Sequence, residues 1–343
     1  MRFPRPWRLL IAPAALLALA PGALASALGG PTELPSPARG LNLLVVGVDS
    51  RTGVTAEEKE RFRLGGKGCD CTDVIMLVHV SAGNDRVSVV SLPRDSLAEL
   101  PGPHTDRRTG KVHDSHLAKV NAAHAEGGSA LAVETVEALT GLDVHRYLEI
   151  DFRRFMDTVD QVDDGVPVCT TKPLKDSATG LDLAAGTTRL GGGEGLQYVR
   201  SRKADGEMDF GRMRKQQKFL VNMLDRIRSG GILKDPERLR ALASTLRGTA
   251  AAERGVSTSE LLTLATRLKA LGPSRTELAT VPVRGFDTVE GVGSIVGWDE
   301  EGAAEVFARL RADRPLPPGD AVAPSRLSVA DYEPARGSSL ICP

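Results

Sequence analysis

LNLLVVGV, at residues 41–48, is a continuous apolar run that ends at Asp49-Ser50-Arg51. An uninterrupted run of this kind is typical of a β-strand that is buried on both faces. In α/β sheets, ligands bind beside the carboxyl ends of such strands. The stretch therefore predicts an α/β sheet with a ligand site close to Asp49 and Arg51, although a simple turn is the alternative interpretation.

Two further apolar runs predict a hairpin in the same sheet. VIMLVHV, at residues 74–80, and RVSVVS, at residues 86–91, are separated by the turn residues Asn84-Asp85. Asp73 opens the first run and Arg94 follows the second. The start of one strand lies beside the end of the next in an antiparallel pair, so Asp73 and Arg94 are expected to be close in space.

YVRSRKADGEMDFGRMRKQQ, at residues 198–217, concentrates positive charge in a chain whose formal net charge is zero. Arg200 and Arg202 alternate, so on an extended segment they would point to the same side. Asp209 stands where a helix N-cap is expected, just before a helical pattern.

Arg212 and Gln216 are four residues apart, at the edge of the apolar stripe of that helix. The stripe consists of Met213, Leu220, Leu224 and Ile227. Arg200, Arg202 and Arg212 are thus expected to converge beside a helix start, which suits a phosphate or pyrophosphate. A solvated charged face is the alternative interpretation.

The N-terminus carries the pattern of an exported protein. Arg2, Arg5 and Arg8 precede the uncharged run 9–27, a positive segment followed by an apolar one. The run approaches the roughly 20 residues that span a bilayer. We therefore expect a single N-terminal span in the cytoplasmic membrane with the catalytic domain outside. Secretion after cleavage of the segment is the alternative.

The amino-acid composition and its changes along the sequence suggest how the rest of the chain is organised. Of 343 residues, 41% are apolar and only 4% aromatic, so a sizeable core built from aliphatic side chains is expected. The zero net charge, with neither RNP aromatics nor a zinc-finger pattern, argues against a nucleic-acid partner. The predicted segments are a membrane anchor or signal segment at 1–27, a linker at 28–40, a catalytic domain at 41–313 and a Pro-rich tail at 314–343.

Four cysteines agree with an oxidising, extracytoplasmic environment. They allow three pairings, of which we predict Cys169 with Cys342 and Cys69 with Cys71. Residues 99–116 are predicted to form a loop that contains His104, His113 and His116. Such a loop could bind a metal, but the histidines follow no regular ligand spacing, so no metal site is assigned to them.

Several segments in a fixed order resemble the LytR-CpsA-Psr family of cell-wall glycopolymer ligases. Any one segment is weak, but the ordered set is quite specific and covers about residues 41–225. The alanine- and arginine-rich composition resembles that of an actinobacterial protein. The matching segments are NLLVVGVDSR (42–51), TDVIMLV (72–78), VSLPRD (90–95), KVNAA (119–123), YVRSR (198–202), DFGR (209–212) and QQ (216–217).

The resemblance implies a three-layer α/β/α sandwich around a central mixed β-sheet. It implies transfer of a glycopolymer from a polyprenyl-diphosphate carrier to peptidoglycan through a phosphodiester link, assisted by Mg²⁺. Asp49 and Asp73 match the metal-binding positions of the family, and Arg94, Arg200, Arg202 and Arg212 match its pyrophosphate-binding arginines.

We predict roles in the reaction on this basis. The catalytic residues are Asp73, Arg94 and Arg212, with Asp73 accepting the proton of the attacking sugar hydroxyl. Asp95 is expected to orient Arg94. A ligand-binding Arg212 would be partly exposed when no ligand is present. The predicted pyrophosphate-binding residues are Arg51, Arg94, Arg200, Arg202, Arg212 and Gln216.

One position departs from the family pattern. An arginine is common two residues before the second aspartate, and Cys71 stands there instead. Arg51, Arg63 or Lys67 could replace the missing contact, or a disulfide at Cys71 could fix the loop.

Two alternative functions stay open at this stage. One is hydrolysis of the polyprenyl pyrophosphate, with water as the acceptor. The other is a catalytically degenerate, membrane-anchored regulator or binding protein. The polyprenyl chain would need a long apolar slot, which the predicted helices of residues 220–271 could provide. Its candidate lining residues are Leu220, Leu224, Ile232, Leu239, Leu262 and Leu264.

Overall fold

The computed structural model describes residues 37–65, 68–204, 206, 208–246, 254–269, 271–318 and 332–343. The predicted anchor at 1–27 lies outside these residues, as does most of the predicted linker at 28–40. Within the described ranges, no helix combines the length and the apolar character that crossing a bilayer requires.

Strands and helices alternate along much of the described chain. In chain order the strands are β1 (Leu41–Val48), β2 (Thr72–Val80), β3 (Val87–Ser91), β4 (Leu97–Leu100), β5 (His104–Thr105), β6 (Val112–His113), β7 (His116–Lys119), β8 (Arg146–Ile150), β9 (Val166–Thr170), β10 (Leu174–Asp176), β11 (Leu181–Leu183), β12 (Gly186–Leu190), β13 (Thr276–Thr280), β14 (Val283–Val289), β15 (Gly293–Trp298) and β16 (Ala335–Arg336). The α-helices are α1 (Ala56–Arg61), α2 (Ala122–Thr140), α3 (Phe152–Asp160), α4 (Gly192–Arg200), α5 (Met208–Ser229), α6 (Pro236–Thr245), α7 (Thr258–Leu268), α8 (Glu300–Arg311) and α9 (Gly337–Leu340). Short 3₁₀ helices form at Ile232–Lys234 and Pro273–Arg275.

The central sheet contains both parallel and antiparallel pairs, as the family resemblance implies. Its strand order is β16-β13-β3-β2-β1-β8. β1 runs parallel to β8, and β3 runs parallel to β13. β2 is antiparallel to both of its neighbours, β1 and β3. The carboxyl ends of β1, β3, β8 and β13 therefore meet the amino end of β2 at one edge of the sheet.

Alternate side chains of β1 enter two different apolar cores. Leu44 and Val46 face a core that includes residues of α2 and α8. Leu43 and Val45 face the opposite side, where the apolar residues of α5, α6 and α7 lie. This alternation follows from the two-residue period of a strand. The result is the expected three-layer α/β/α sandwich.

A further core lies beside the sandwich and supports α4 and α5. It is formed by apolar residues of α3, α4, α5 and the short strands β9, β11 and β12. Phe219 of α5 packs against Tyr198 of α4, with ring centroids 6.2 Å apart. Gly193 permits α4 to approach the ring of Phe62, which any side chain at that position would overlap. This packing fixes the junction between α4 and α5, where most of the predicted arginines lie.

The structure differs from the sequence prediction in several connecting segments. Residues 99–116 are not a plain loop but contribute to two small antiparallel pairs, β4 with β7 and β5 with β6. Residues 181–190 contain the short strands β11 and β12, which the sequence analysis did not identify. The hairpin β14–β15 was missed, because it lies between elements with stronger apolar periodicity. Leu224 is exposed rather than part of the core stripe of α5.

Both predicted disulfides are confirmed. Cys69 is bonded to Cys71 and Cys169 to Cys342, with Cα atoms 5.1 and 5.4 Å apart. The second bond holds the C-terminal segment against α5, where Asn222 accepts a hydrogen bond from the Cys342 amide at 2.8 Å. β16 adds to the edge of the sheet beside β13. The described end of the predicted Pro-rich tail is thus packed on the domain.

Candidate active site

The edge of the sheet described above gathers the charged residues that the sequence singles out. Asp49 follows β1 directly, and Arg94 lies three residues beyond the end of β3. Asp73 is the second residue of β2, whose direction is opposite. Phe152 begins α3 just after β8. The topology therefore places these side chains together at this end of the sheet, which we call the mouth of the sheet.

Asp73 and Arg94 are in contact, as expected. Met76 of β2 pairs with Ser91 of β3, and continuing this register by three residues brings Asp73 opposite Arg94. The Nη1 of Arg94 donates a hydrogen bond to Oδ1 of Asp73. Antiparallel register alone is thus sufficient to form this ion pair.

Two other guanidinium groups converge on the same carboxylate. Arg202 Nη2 and Arg212 Nη1 lie 3.9 and 4.0 Å from Asp73 Oδ1. Arg212 Nη2 also lies 3.5 Å from the Asp73 carbonyl oxygen. Asp73 is thereby enclosed by three cations, an arrangement that offers a cluster of charged donors to an anion.

Asp209 is a second carboxylate within this cluster, and the sequence prediction assigned it a different role. α5 begins at Met208, so Asp209 lies in the first turn and is not the N-cap. Its Oδ1 lies 3.0 Å from Arg202 Nε and 3.6 Å from Arg212 Nη2, and its Oδ2 lies 3.6 Å from Arg94 Nε. The presence of Asp209 within the DFGR segment was the signal that could have marked it as a site residue.

Arg212 is buried, contrary to the expectation of partial exposure. Only 3% of its surface is accessible, and this burial lowers the pKa of the guanidinium to about 10. Its Nε finds no hydrogen-bond partner among the described residues. The cause is the close packing of α5 on the sheet, where Gln217 donates to Ser91 Oγ at 2.9 Å and to the Ala279 carbonyl at 3.0 Å.

Gln216 also lines the site and ties its two helices together. Its amide Nε2 donates to the Val199 carbonyl at 3.1 Å, which joins α5 to α4. The side chain borders the same cavity as Asp73 and Arg212. The sequence correctly placed Gln216 near the arginines, and its role in binding pyrophosphate stays a prediction.

Arg200 occupies the site in a way that the sequence did not predict. It is the last residue of α4 rather than part of an extended segment. Its guanidinium carbon lies 5.0 Å from the centroid of the Phe152 ring, a cation–π geometry. Burial lowers the pKa of this arginine, opposed chiefly by the nearby charge of Asp49. Its Nη1 is buried and unpartnered within the part of the chain that the structure describes.

Arg51 is held next to Arg200 by Asp49. Arg51 donates from Nε to Asp49 Oδ1 at 2.9 Å and from Nη2 to Oδ2 at 3.1 Å, which makes the contact bidentate. Its guanidinium carbon lies 5.9 Å from the Phe152 centroid. Phe152, which the sequence prediction did not select, therefore contacts both arginines.

The segment around Cys71 bears on how the missing family arginine is replaced. The Asp49 amide donates to the Cys71 carbonyl at 3.1 Å, so the disulfide-linked loop lies against this aspartate. Arg63 is directed elsewhere and donates to the Ser177 carbonyl at 2.7 Å. Lys67 lies outside the described residues. Of the predicted replacements, Arg51 is the one that the structure places in the site.

A cavity of about 170 Å³ opens from the arginine cluster. Asp95 borders it and lies 3.5 Å from Arg94 Nε and 3.1 Å from Lys119 Nζ, so the expected contact between Asp95 and Arg94 is present. The other wall is apolar and includes Phe210 and the exposed Phe286 of β14. The cavity thus joins a charged end to an apolar end.

A half-buried apolar layer begins beside Asp73 and continues along one face of β1 and β2. Val45, Val74 and Val78 are only partly buried although they belong to the central strands β1 and β2. Leu220 of α5 and Leu264 of α7 face them and are also partly buried. The opposite face of these strands, by contrast, carries the fully buried Leu44 and Leu77.

The donor set at the mouth fits Mg²⁺. The ion binds through one or two carboxylates and the oxygens of substrate phosphates. Asp49 follows β1 and Asp73 lies at the start of β2, which is the antiparallel neighbour of β1. The charges of both aspartates act on Arg200. A metal ligated by this pair would therefore lie beside the arginines. Metal binding by Asp49 and Asp73 stays a prediction.

The α/β/α sandwich thus carries an arginine–aspartate cluster at the carboxyl ends of its parallel strands, and the paired donors of arginine match phosphate oxygens. The chain belongs to the LytR_cpsA_psr family, whose model matches residues 29–312. This finding confirms the family resemblance seen in the sequence.

Individual relatives support the same assignment. The chain is 35% identical over 274 residues to the probable cell wall biosynthesis protein LcpB of Corynebacterium glutamicum, covering 79% of this chain and 61% of LcpB. It is 25% identical to the polyisoprenyl-teichoic acid–peptidoglycan teichoic acid transferase TagU of Oceanobacillus iheyensis, covering 76% of this chain and 72% of TagU. The chain thus spans about three fifths of the length of LcpB.

Solved structures show the same fold. The crystal structure of Bacillus subtilis TagV superposes with a TM-score of 0.60 at 23% identity, over 81% of this chain and 99% of TagV. The sandwich predicted from the sequence is therefore the fold of this family.

Proposed function

We propose that this protein is a phosphotransferase that moves a glycopolymer from a polyprenyl-diphosphate carrier to peptidoglycan during cell-wall assembly. The name of the TagU relative describes a transfer of this kind from a polyisoprenyl-linked polymer to peptidoglycan. The observation that carries the proposal is the convergence of Arg94, Arg202 and Arg212 on Asp73 at the mouth of the sheet.

The charges of the cluster suit a diphosphate. The three guanidiniums are paired mainly with the carboxylates of Asp73 and Asp209. Arginine presents paired donors that match phosphate oxygens. A diphosphate entering the site would take over these donors and leave the Asp73 carboxylate available for other ligands.

The proposed reaction exchanges one phosphoester bond for another. The hydroxyl oxygen of a peptidoglycan sugar bonds to the phosphorus that bears the glycopolymer. The bond from that phosphorus to the bridging oxygen breaks, so that polyprenyl monophosphate leaves and a phosphodiester remains. The hydroxyl proton passes to a carboxylate, for which Asp73 is our candidate. The arginines stabilise the charge that develops on the leaving phosphate.

Mg²⁺ belongs to the proposal as the assisting ion. Asp49 and Asp73 would hold it together with oxygens of the substrate. When bound, it would neutralise phosphate charge without adding a group that must be protonated. Arg51 supports this arrangement because its bidentate contact orients the Asp49 carboxylate.

The half-buried apolar layer is the proposed seat of the polyprenyl chain. Val45, Val74, Leu220 and Leu264 are apolar and incompletely covered, and they lie on the side of the sheet that α5 and α7 enclose. Of the residues suggested from the sequence, Leu224 is exposed and Ile232 is fully buried, so neither fits the slot. The lipid carrier also implies a location at the cytoplasmic membrane, for which residues 1–27 are the proposed single span, with the catalytic domain outside.

The decisive experiment supplies a polyprenyl-diphosphate-linked saccharide, Mg²⁺ and a peptidoglycan oligomer, and analyses the products by mass spectrometry. A transferase yields a phosphodiester conjugate together with polyprenyl monophosphate. A hydrolase yields polyprenyl monophosphate and a phosphorylated saccharide, with or without the acceptor.

Matched variants connect the outcome to the site. Arg202→Ala should abolish the conjugate, whereas Arg228→Ala should not, because Arg228 is exposed at the far end of α5 and pairs with Asp225. Release of lipid phosphate without conjugate would favour the hydrolase. Binding of the lipid diphosphate with no turnover would favour a degenerate regulator.

A further inference from the structure

A second group of metal-ligating side chains lies away from the catalytic cluster. His104 Nε2 and His116 Nε2 each lie 3.3 Å from the same carboxylate oxygen, Oε2 of Glu126. The ligand atoms of all three residues lie within 4.8 Å of one another. We propose that His104, His116 and Glu126 form a binding site for a zinc-class transition-metal ion, with His113 as the fourth ligand.

The fold brings these residues together from four separate elements. His104 and His113 are paired directly across the β5–β6 hairpin. His116 begins β7, and Glu126 belongs to the first part of α2. The ring centroid of His113 lies 5.8 Å from that of His104 and 5.5 Å from that of His116. Strand pairing, rather than sequence spacing, therefore forms the cluster, which is why no ligand pattern was visible in the sequence.

The hydrogen bonds of the imidazoles leave their Nε2 atoms suited to a metal. His104 Nδ1 lies 2.8 Å from the Pro101 carbonyl, and His116 Nδ1 lies 3.1 Å from the Asp114 carbonyl. A carbonyl only accepts, so each neutral ring carries its proton on Nδ1 and presents a lone pair at Nε2. In the neutral rings both lone pairs then meet a carboxylate oxygen, and this repulsion is removed either by protonation of the imidazoles or by a cation bound between them. Backbone bonding of the distal nitrogen is also the usual outer-shell arrangement of a metal-bound histidine.

The spacing of the ligand atoms agrees with tetrahedral coordination. Zinc binds imidazole nitrogen and carboxylate oxygen at about 2.0–2.1 Å, so ligand atoms at the corners of a tetrahedron are separated by about 3.3–3.4 Å. Both nitrogen-to-oxygen distances in the cluster are 3.3 Å. Imidazole with one carboxylate also favours Zn²⁺ over Mg²⁺ or Ca²⁺, which prefer oxygen ligands throughout.

The surroundings orient Glu126 and place a further histidine beside the three ligands. Arg108 Nη2 lies 3.4 Å from Glu126 Oε1 and 3.2 Å from Asp106 Oδ2. Asp106 thus offsets the charge of Arg108, while the contact fixes Glu126 with its other oxygen toward the histidines. His113 Nε2 is buried and has no hydrogen-bond partner within the described ranges. A bound cation would satisfy this atom.

The site would have a structural role that is distinct from catalysis. It shares no ligand with the arginine–aspartate cluster, but β7 connects the two: it begins at His116 and ends at Lys119, which borders the catalytic cavity. A metal would tie the exposed β5–β6 hairpin to α2 and fix this strand. We therefore expect it to stabilise the fold rather than to take part in the transfer.

Titration of the full chain with Zn²⁺ tests the proposal. After chelator treatment and dialysis into excess Mg²⁺, calorimetry should show one Zn²⁺ bound per chain, and Zn²⁺ should raise the melting temperature above its value in Mg²⁺ alone. His104→Ala, His116→Ala and Glu126→Gln should each weaken the affinity at least tenfold. Glu99→Gln is the matched control, because Glu99 is an exposed carboxylate on the neighbouring strand β4, and it should bind like the wild type.

Folding and geometry are checked separately. Circular dichroism of each variant without metal establishes that it is folded, and Glu126→Gln retains the shape of the side chain should an alanine variant fail to fold. Co²⁺ in the site should give the intense visible absorption of tetrahedral coordination. Absence of Zn²⁺ binding, or wild-type affinity in the His104, His116 and Glu126 variants, overturns the site. Wild-type affinity and an unchanged Co²⁺ spectrum in His113→Ala overturn the assignment of the fourth ligand.

Discussion

Arg94 donates a hydrogen bond from Nη1 to the carboxylate of Asp73, across the open end of the β2–β3 pair. The two residues extend the ladder beyond its last backbone pair, so the position of each is fixed by a different central strand. Arg202 and Arg212 reach the same carboxylate from the α4–α5 junction. Asp73 is therefore the point at which the sheet and the helices of the candidate site meet.

We predict that Arg94 and Asp73 act as a unit in transfer. Arg94→Ala and Asp73→Asn should each lower the transfer rate by roughly 10²-fold or more, the scale for removing a preorganised charged donor. Groups that act together lose activity non-additively, so the double variant should be little slower than either single one. Rates are measured with the conjugate assay, with Arg228→Ala as the control. Fully multiplicative losses would show that the two residues act independently.

We predict that Arg212 lowers the stability of the fold but is needed for transfer. Its guanidinium is buried beside other cations, and burial lowers its pKa to about 10, so the charged form is disfavoured in the folded protein. The two carboxylates beside it stay paired with the other arginines of the cluster, so replacing Arg212 by an apolar side chain of similar size leaves no buried charge unpaired. The desolvation cost of one buried cation is thereby removed. Arg212→Met should therefore raise the stability by about 1 kcal/mol and reduce transfer by about 10²-fold. Arg212→Lys should restore transfer only partly, because an ammonium cannot form a bidentate contact. A less stable Arg212→Met protein would contradict the stability argument.

Phe152 is expected to support substrate binding through Arg200. The aromatic ring faces the guanidinium at 5.0 Å, a contact that contributes about 0.5–2 kcal/mol. Phe152→Leu retains an apolar side chain but removes this interaction, so the KM for the lipid substrate should rise about 3- to 10-fold while the fold is retained. Phe152→Tyr, which keeps the ring, is the control. Equal KM values for the Leu variant and the wild type would mean that Phe152 serves only in packing.

The Cys169–Cys342 disulfide should stabilise the domain far more than the Cys69–Cys71 disulfide. It links residues 173 positions apart, and closing a long loop restricts the unfolded chain most. Cys342→Ser with Cys169→Ser should lower the stability by about 3 kcal/mol and increase hydrogen exchange in β16 and α9. The paired serine variant at Cys69 and Cys71, which are two positions apart, is the comparison for melting temperature. Equal melting temperatures for the two paired variants would refute the loop-length argument.

His79 should make the stability depend on pH below neutrality. The side chain is fully buried between Asn42 and Asp313, and this burial lowers the pKa of the imidazole. The hydrogen bond and charge of Asp313 oppose this lowering of the pKa, but burial outweighs them, and Arg86 Nη2 lies 2.8 Å from the same Asp313 oxygen.

The sign follows from proton binding in the two states. Below about pH 6.5 the unfolded chain protonates His79 while the native state does not, so stability falls as the pH falls, by at most about 1.4 kcal/mol per pH unit for one group. Above that pH His79 is neutral in both the folded and the unfolded chain, so it no longer makes the free energy of unfolding depend on pH. Melting curves from pH 7 to pH 5 should show a steeper decline for the wild type than for His79→Gln. Parallel declines would mean that His79 titrates normally in the fold.

Local sequence patterns were sufficient to predict the central strands, the order of their charged ends and the family. Apolar runs and turn residues are properties of short segments, and antiparallel pairing converts them directly into neighbours. This is why the amino-acid sequence alone could place Asp73 beside Arg94.

The burial of each charged side chain, and the meeting of residues from distant segments, depended on tertiary packing. Arg212 looked like an edge residue on a helical pattern, but the packing of α5 against the sheet removed it from water. Phe152 met Arg200 because α3 and α4 pack together. His104, His116 and Glu126 came together through hairpin pairing and the position of α2. Burial and such meetings depend on contacts between residues far apart in the chain, and local periodicity contains no information about them.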